Sequence, residues 1–350
     1  MALALSPAGG VSPGFLPVLE HLESNSVQYF GSSLTSVQPT LELTGLYSRV
    51  LRVRIDAGGR VTSIFIKRYE PRSGTPEETA RFRRYVDREY ARLLLAAGCA
   101  TESASAARPI AFLPEHFALI TEQAHGVPLQ GLFKRLAVLR TPSARDKAQQ
   151  ALAHVASWVR NFQSAVPPNK PRTRDQRKYI DIRLLELVDL HRPGFGDAER
   201  AAVLECFDAQ LARLTSADLA PVASHGDLCP SNILVHDNGV TVLDLAMSSD
   251  GTRYQDLSHL SFHVELAGRR FFFGSTLVDR LRSALLQSFE PGLDARTPLF
   301  RMSHMQHAVC YLAELARLER VLGNPVSDWR WKSRVAWCMN AMGVRPGKRR

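Results

Sequence analysis

The segment from Ser224 to Ser249, SHGDLCPSNILVHDNGVTVLDLAMSS, restricts the fold more than any other part of this 350-residue chain. Gly226 and Pro230 both disrupt regular structure, so the start of the segment is predicted to be a loop. Two apolar stretches follow, Asn232–Val235 and Val240–Leu245, and the turn sequence Asp-Asn-Gly separates them. Short apolar stretches joined by Asn-Gly are typical of a β-hairpin. The segment therefore predicts a loop that leads into a hairpin.

Three oxygen-bearing side chains are predicted at the open end of this hairpin. Asn232 starts the first strand, Asp244 ends its partner, and Asp227 lies on the loop that leads to the same end. Such a set suits Mg²⁺, which takes oxygen ligands and usually keeps waters and substrate phosphates. The order also matches phosphoryl transfer, in which an Asp acts as base and a later Asn and Asp hold metal. The alternative is that these side chains only cap turns, but their joint spacing favours the metal site.

The same residues resemble the aminoglycoside phosphotransferase family of small-molecule kinases. The resemblance rests on three stretches: His225-Gly226-Asp227-Leu228-x-Pro230-x-Asn232-Ile233-Leu234, Val242-Leu243-Asp244 and Asp256-Leu257-Ser258. It implies an α+β, two-lobed, protein-kinase-like fold with a small β-rich N-lobe, one long helix in that lobe, and a larger, mainly helical C-lobe. It also implies that ATP and Mg²⁺ are bound, with Asp227 as catalytic base and Asn232 and Asp244 on the metal. Asp256 is similar to a family Asp that ties the catalytic loop through hydrogen bonds.

The first half of the chain shows the patterns of a β-rich lobe. The alternating stretches Val50–Ile55 and Val61–Ile66 flank turn residues and predict a hairpin. Thr75 followed by Pro76 predicts the start of an amphipathic helix, which Gly98 ends. Two further strands are expected at 109–113 and 118–122, and helices dominate after Gly126. These helices are expected at 129–139, 144–164, 180–190 and 197–214, with others across 262–340.

A kinase-like site also needs a cation for the phosphates. Lys67 ends the strand Ile64–Lys67, which is the position of the phosphate-binding lysine in kinase folds. Glu89 on the following helix is the expected ion-pair partner, and Asp87 on the same helix is the alternative. The resemblance thus implies that Lys67 and Glu89 belong to the nucleotide site.

Two weaker candidates for nucleotide contact come from the same resemblance. Glu122 falls where the lobes of the family join and backbone groups hold adenine, although an ordinary strand end would explain it equally well. The sequence Thr44-Gly45-Leu46-Tyr47-Ser48 carries one glycine where protein kinases have three. Phosphate contact in this loop is therefore expected from backbone N–H groups together with Ser48 or Arg49.

The chain is expected to comprise a lead-in segment at 1–38, the N-lobe at 39–122, the C-lobe at 123–345 and a basic tail at 346–350. Its net charge is +10, and residues 262–350 contain fifteen Lys or Arg against seven Asp or Glu. A polycationic acceptor would need an acidic wall. The acceptor is therefore expected to be a small hydroxyl compound that is neutral or anionic, such as a sugar-like or lipid-linked molecule.

Location and partners follow from what the sequence lacks. No apolar stretch reaches the ~20 residues that span a bilayer, and the first residues lack the basic start of a secretory signal, so a cytoplasmic protein is expected. Residues 329–342 are expected to form a packed terminal helix; the alternative is a basic and aromatic surface, with Arg330, Trp331, Lys332 and Trp337, in peripheral contact with an anionic membrane at its inner face. No nucleic-acid-binding motif accompanies the positive charge. A nucleotide-binding pseudokinase and a protein kinase remain the alternatives to a small-molecule kinase.

Overall fold

The computed structural model describes residues 4–6, 11–45, 48–71, 74–139, 141–165, 175–322 and 327–344. The predicted basic tail at 346–350 lies outside them. The chain forms two compact units: Met1–Leu129 with Ser231–Ser248, and Gln130–Pro230 with Ser249–Arg350. The segment and lobe boundaries predicted after residues 38, 122 and 345 stay a prediction. The compact units group the chain differently, because the hairpin after residue 231 pairs with strands from the first half of the chain.

The strands of the described residues are β1 Ala4–Ser6, β2 Leu34–Thr44, β3 Ser48–Ala57, β4 Arg60–Tyr69, β5 Ala104–Ala106, β6 Pro109–Leu113, β7 Ala118–Glu122, β8 Val127–Pro128, β9 Val222–Ser224, β10 Ile233–His236, β11 Gly239–Val242 and β12 Ser249–Gly251. The α-helices are α1 Leu16–Ser24, α2 Ser26–Phe30, α3 Pro76–Gly98, α4 Leu129–Leu139, α5 Pro142–Ala165, α6 Gln176–Val188, α7 Asp197–Leu211, α8 Gln255–Phe271, α9 Ser275–Phe289, α10 Pro298–Leu322 and α11 Asp328–Ala341.

An antiparallel sheet in the order β1-β2-β3-β4-β7-β6 dominates the first unit. The predicted hairpin is confirmed as β3 and β4, which turn at Gly58 and Gly59, both with positive φ. The sequence does not predict strand β2, and the predicted lead-in segment covers its first residues. This strand contains Pro39, which cannot donate a ladder hydrogen bond, and the register with β3 shifts directly after this residue.

The core of this unit lies on one face of the sheet. Alternate residues of β3 and β4, among them Val53, Ile64 and Ile66, are fully buried there. Phe15 and Leu22, from the turn before α1 and from α1 itself, belong to the same cluster. Residues 15–22 are therefore part of the folded unit, since their apolar side chains cover the sheet.

Helix α3 begins and ends where the sequence predicted. The Thr75 hydroxyl accepts a hydrogen bond from the Glu78 N–H at 3.3 Å, and Pro76 occupies the first helical position. This N-cap satisfies one of the amide groups that the first turn leaves without a helical partner. The helix runs to Gly98 and brings Glu89 onto its buried face.

A second sheet in the order β5-β11-β10-β8 contains the predicted hairpin, β10 and β11. β11 pairs in parallel with β5 of the first half of the chain, and β10 pairs with β8. Gly239 in the turn has φ +148°, and a Cβ atom at this position would lie 2.0 Å from the Ser103 carbonyl oxygen. Only glycine therefore permits the close approach that joins β11 to β5.

The second unit is helical and contains only one small sheet, β9 with β12, among its described residues. Helix α10 lies against α6, α7, α8 and α11, and helix α5 packs on α9 and β9. Trp331 of α11 is fully buried in this core, and Trp337 packs against it. Trp331 and Trp337 are thus packed, as the expected terminal helix requires, and the alternative in which Trp331 faces a membrane is wrong. None of the described helices is long and apolar enough to cross a membrane.

Candidate active site

A cluster of charged side chains in the first unit joins residues that the sequence predicted separately. The Lys67 Nζ atom of β4 lies 2.9 Å from Glu89 Oε1 of α3 and 2.7 Å from Asp244 Oδ1, after β11. The Glu89 side chain is 2% exposed, that of Lys67 18% and that of Asp244 46%. The cluster therefore runs from the buried face of a helix to an open carboxylate.

Local structure explains why these residues meet. Ile64 and Ile66 of β4 point into the core, so Lys67 points to the opposite face of the sheet, as alternation along a strand requires. On α3, Val86 and Glu89 are buried whereas Asp87 is exposed, so spacing along the helix selects Glu89 as the partner. The alternative of Asp87 is wrong.

The electrostatics of the cluster favour a charged Lys67. Burial by itself would lower the pKa of its ammonium group. The carboxylates of Glu89 and Asp244 outweigh burial, and the pKa of Lys67 stands well above its usual value. The Tyr69 hydroxyl donates a hydrogen bond to Glu89 Oε2 at 2.5 Å. Burial, followed by the neighbouring carboxylate, raises the pKa of Tyr69, so this tyrosine stays a neutral donor.

Asp244 adopts a backbone conformation that few residues other than glycine tolerate. Its φ is +59°, in the left-handed region, where Asp is among the few residues that occur with some frequency. Such conformations concentrate at functional sites, because the surrounding structure must maintain them. Leu245, which follows directly, is fully buried and anchors the segment. The fold thus holds the Asp244 carboxylate at the exposed end of the Lys67 cluster.

The donor atoms at the end of the hairpin fit a magnesium ion. The Leu243 N–H donates to the Asn232 carbonyl at 2.8 Å, which places Asn232 and Asp244 at the same end of the β10–β11 hairpin. The Lys67 ammonium already occupies a cation position 2.7 Å from an Asp244 oxygen. Among the described residues no group of three or more His, Cys, Asp or Glu could hold a metal. One carboxylate and one amide oxygen suit an ion that takes its other ligands from phosphate and water.

The loop that carries Asp227 belongs to the second unit, and Asp256 fixes its backbone. Asp256, in the first turn of α8, is 1% exposed. Its carboxylate accepts hydrogen bonds from the Ser224 hydroxyl at 2.8 Å, the His225 N–H at 2.7 Å and the Gly226 N–H at 3.0 Å. Asp256 therefore has the contacts expected of a residue that ties this loop.

His225 also supports the loop from within. It is fully buried, its ring meets Trp158 edge to face at 6.3 Å, and its Nδ1 accepts a hydrogen bond from the Asp227 N–H at 3.3 Å. The Asp227 carbonyl in turn accepts from the Cys229 N–H at 2.9 Å. His225 thus packs and orients the loop, while the Asp227 side chain remains partly exposed.

We expect the Asp256→Ala variant to unfold more easily than the wild type. Removing the carboxylate leaves buried donors of the loop without their acceptor, which should lower the free energy of unfolding by about 3 kcal/mol. Thermal melting followed by circular dichroism measures the effect, with the exposed Asp279→Ala as matched control. Equal melting temperatures for the two variants would contradict the anchoring role of Asp256.

Ser48 and Glu122 lie elsewhere in the large sheet. Ser48 begins β3 beside Tyr69, and its carbonyl accepts from the Gly45 N–H at 2.8 Å. Residues 46 and 47 of the expected phosphate loop lie outside the described residues. Glu122 ends β7 opposite Ile64, and its Oε1 lies 3.2 Å from Arg108 Nη1. Neither residue belongs to the Lys67 cluster, so their nucleotide contacts stay a prediction.

Arg49, the alternative to Ser48, has other partners. Its guanidinium forms ion pairs with Glu42 at 3.2 Å and Glu70 at 3.0 Å. The hydrogen bond to Glu42 is the main reason that the pKa of Arg49 is raised. Because both carboxylates hold this side chain, Ser48 is the better candidate for the loop.

A histidine cluster in the second unit was missed by sequence reasoning. His259 and His263 on α8 place their Nε2 atoms 3.2 Å apart, and the His307 ring of α10 stacks on His259 at 4.4 Å. The His307 Nε2 atom lies 2.9 Å from the Gln255 carbonyl oxygen. The spacing of His259 and His263 on one helix face was visible in the sequence, but the contribution of α10 was not.

Burial keeps these histidines neutral. It lowers the pKa of His263 to about 4 and that of His307 to about 3, and it holds the pKa of His259 well below its usual value. The neighbouring His304 pairs instead with Glu265 at 3.3 Å. The unfolded chain therefore binds protons at these histidines at a higher pH than the folded chain does.

This asymmetry predicts that the protein loses stability in acid. Each histidine contributes stability that is fully present above the unfolded pKa of about 6.5. As the pH falls from there toward 4, the free energy of unfolding should drop by up to about 1.4 kcal/mol per pH unit for each neutral histidine. Chemical unfolding at several pH values checks this. His263→Gln should flatten the dependence, the exposed His125→Gln should not, and identical slopes would contradict the prediction.

The fold and the Lys67 cluster together define a phosphotransferase of the protein-kinase-like α+β class, as predicted. A family model described as "Phosphotransferase enzyme family" matches residues 43–299. The chain belongs to this family and is a small-molecule kinase. A search of curated proteins finds no match.

Solved structures show the same fold at low sequence identity. The choline kinase LicA from Streptococcus pneumoniae is 13% identical with a TM-score of 0.53, covering 94% of this chain and 100% of its own. The streptomycin–ATP–APH(2'')-IIa ternary complex is 10% identical with a TM-score of 0.56, covering 94% and 98%. A choline/ethanolamine kinase family protein from Mesorhizobium loti is 14% identical with a TM-score of 0.52, covering 93% and 94%. These likenesses show the fold.

Proposed function

We propose that the protein transfers the γ-phosphoryl group of ATP to a hydroxyl group of a small molecule. The observation that carries this proposal is the cluster in which Lys67 pairs with both Glu89 and Asp244. It combines a cation on a strand, a buried carboxylate that fixes it, and an open carboxylate at the end of a hairpin. Phosphoryl transfer needs this combination, because catalysis depends mainly on positioning and charge stabilisation.

In this proposal, Lys67 steadies the phosphates of ATP and Glu89 holds Lys67 in position. Asn232 and Asp244 hold Mg²⁺, which when bound neutralises charge on the phosphate oxygens. Ser48 and the backbone N–H groups of its loop contact the phosphates, and the chain around Glu122 lies at the nucleotide base. ATP is supported as the donor because one structural neighbour, APH(2'')-IIa, forms a ternary complex with ATP and streptomycin.

Asp227 is proposed as the catalytic base. Its carboxylate would accept the proton of the acceptor hydroxyl while the oxygen attacks the γ-phosphorus atom and the bond to the β-phosphate oxygen breaks. The loop is suited to this role, because Asp256 and His225 fix its backbone on both sides of Gly226. Positioning by such a rigid loop supplies much of the rate in reactions of this type.

The acceptor is proposed to be neutral or anionic, such as a sugar-like or lipid-linked hydroxyl compound. The structural neighbours include a choline kinase and a complex with streptomycin. Choline is a cation, and a cationic acceptor favours acidic surroundings. Residues 262–350 of this chain carry fifteen Lys or Arg and seven Asp or Glu, and the chain has a net charge of +10. The balance of charge supports a different acceptor class.

Label transfer from ATP tests the proposal. The purified protein is incubated with γ-labelled ATP, Mg²⁺ and extracts of metabolites and lipids, and labelled products are identified by mass spectrometry. We expect a labelled small molecule that disappears when Mg²⁺ is chelated. Label on added proteins alone would indicate a protein kinase. Binding of MgATP without any labelled product or hydrolysis would indicate a pseudokinase, and absence of nucleotide binding would refute the site.

A further inference from the structure

Large apolar side chains are exposed on two segments of the second unit that meet at one recess. Phe272 in the α8–α9 connection is 86% exposed, and Val138 and Leu139 at the end of α4 are 80% and 59% exposed. Leu136 of α4 and Phe272 both line one recess of about 330 Å³, which joins the two segments. We call Val138, Leu139, Phe272 and this recess the apolar patch. Exposed apolar clusters of this kind mark interaction sites more often than isolated residues do.

The backbone holds Phe272 away from the protein. Phe272 caps α8 with φ +55°, in the left-handed region, which is unusual for an aromatic residue. Its N–H and that of Phe273 both donate to the Gly268 carbonyl, so the conformation is fixed by the helix end. Folding gains little from this arrangement, because the Phe272 ring stays in water. A partner that covers the ring would explain both the conformation and the exposure.

The segments that form the apolar patch are rich in positive charge. Arg145 of α5 and Arg280 of α9 line the recess itself. The described residues of 134–147 and 269–280 contain seven cations and two carboxylates: Lys134, Arg135, Arg145, Lys147, Arg269, Arg270 and Arg280 against Asp146 and Asp279. A second copy of the chain would bring the same positive charge to the contact and be repelled. The patch thus fits a partner that is apolar inside and negatively charged at its surface.

We propose that the apolar patch docks this protein on a bilayer that contains anionic lipids. Phe272, Val138 and Leu139 would enter the boundary between headgroups and acyl chains, as apolar residues of peripheral proteins do. The Lys and Arg side chains of the segments that form the patch would contact anionic headgroups. This surface differs from the region around Trp331, which is buried. It contains none of the residues proposed for phosphoryl transfer, so it can be tested independently of that function.

Sedimentation with vesicles tests the docking surface on the full-length protein. One set of vesicles contains phosphatidylcholine alone, and the other an equimolar mixture of phosphatidylcholine and phosphatidylglycerol. We expect the wild type to bind only the mixed vesicles appreciably, and added salt to weaken binding. Phe272→Asn should lower the partition coefficient about tenfold, and its side chain is compatible with the left-handed backbone. Arg280→Glu should reduce binding and its dependence on salt.

Trp329→Gln is the matched control, because Trp329 is a 68% exposed aromatic residue of α11 that does not line the recess. It should bind mixed vesicles like the wild type. The proposal is overturned if the wild type does not bind mixed vesicles or binds both vesicle types equally. It is also overturned if Phe272→Asn and Trp329→Gln bind mixed vesicles with the same partition coefficient. Self-association through the patch, detected as a dimer that Phe272→Asn abolishes, would also overturn it in favour of a second copy as partner.

Discussion

The Lys67→Met variant is expected to unfold with a free energy about 3 kcal/mol smaller than that of the wild type and to lose phosphotransfer. The substitution leaves Glu89, whose side chain is 2% exposed, without its cation. Breaking a buried ion pair costs about 3 to 5 kcal/mol, because one charge stays buried without compensation. The lower figure applies here because the Lys67 side chain is 18% exposed, so water still stabilises part of the charge. Urea unfolding and initial rates measure the two effects.

A double variant separates stability from catalysis at this site. Lys67→Met combined with Glu89→Gln removes both charges, and Gln can still accept the hydrogen bond from the Tyr69 hydroxyl. We expect the free energy of unfolding to recover most of its loss. Phosphotransfer should stay lost, because the cation that would contact the phosphates is still missing. The exposed Lys178→Met serves as control and should leave both properties unchanged. Wild-type activity in the double variant would remove Lys67 from the proposed mechanism.

The Asp227→Asn variant is expected to lower kcat by about 10²- to 10⁴-fold, the usual contribution of a general base. Asn keeps the size of the side chain but cannot take a proton. The Michaelis constant for ATP should change little, because Asp227 is proposed to act on the acceptor. The rate of label transfer to the acceptor identified from extracts measures kcat, and thermal melting verifies that the variant is folded.

Asp237→Asn is the matched control for this substitution. Asp237 is exposed in the turn between β10 and β11, so the same chemical change there should leave kcat unaltered. An Asp227→Asn enzyme that keeps its native melting temperature and more than about a tenth of the wild-type rate would speak against a general base. A parallel loss in both variants would indicate damage to the hairpin rather than to the chemistry.

Local chemistry made part of this site predictable. The Thr75-Pro76 start and the Gly98 stop fix α3, and alternation along Ile64–Lys67 fixes which face of β4 carries the lysine. Together they predict that Lys67 and Glu89 can meet. The ion pair between Lys67 and Asp244 joins residues 177 positions apart. Sequence patterns do not encode such pairing, because it depends on β11 lying beside β5.

Other features were missed for related reasons. Pro39 obscured β2, since proline argues against a strand unless it lies at an edge or a bulge. The histidine cluster depends on α8 and α10 lying side by side, which neither helix reveals alone. The apolar patch likewise combines the end of α4 with the α8–α9 connection. Helix and strand periods in the sequence predict single elements well. A surface built from several elements can be recognised only once the three-dimensional fold is known.

The first unit consists of two segments that are far apart in the sequence, so it cannot fold completely until the second of them has been synthesised. Strands β5 and β8 acquire their partners only when residues 233–242 are made, roughly a hundred positions later. During synthesis their edges stay open, and open strand edges invite pairing with other chains. A fragment that ends at residue 129 would keep this exposed state permanently and would also lack Asp244. The unit that holds the Lys67 cluster is thus complete only after the whole first segment of the second unit, Gln130–Pro230, has been synthesised.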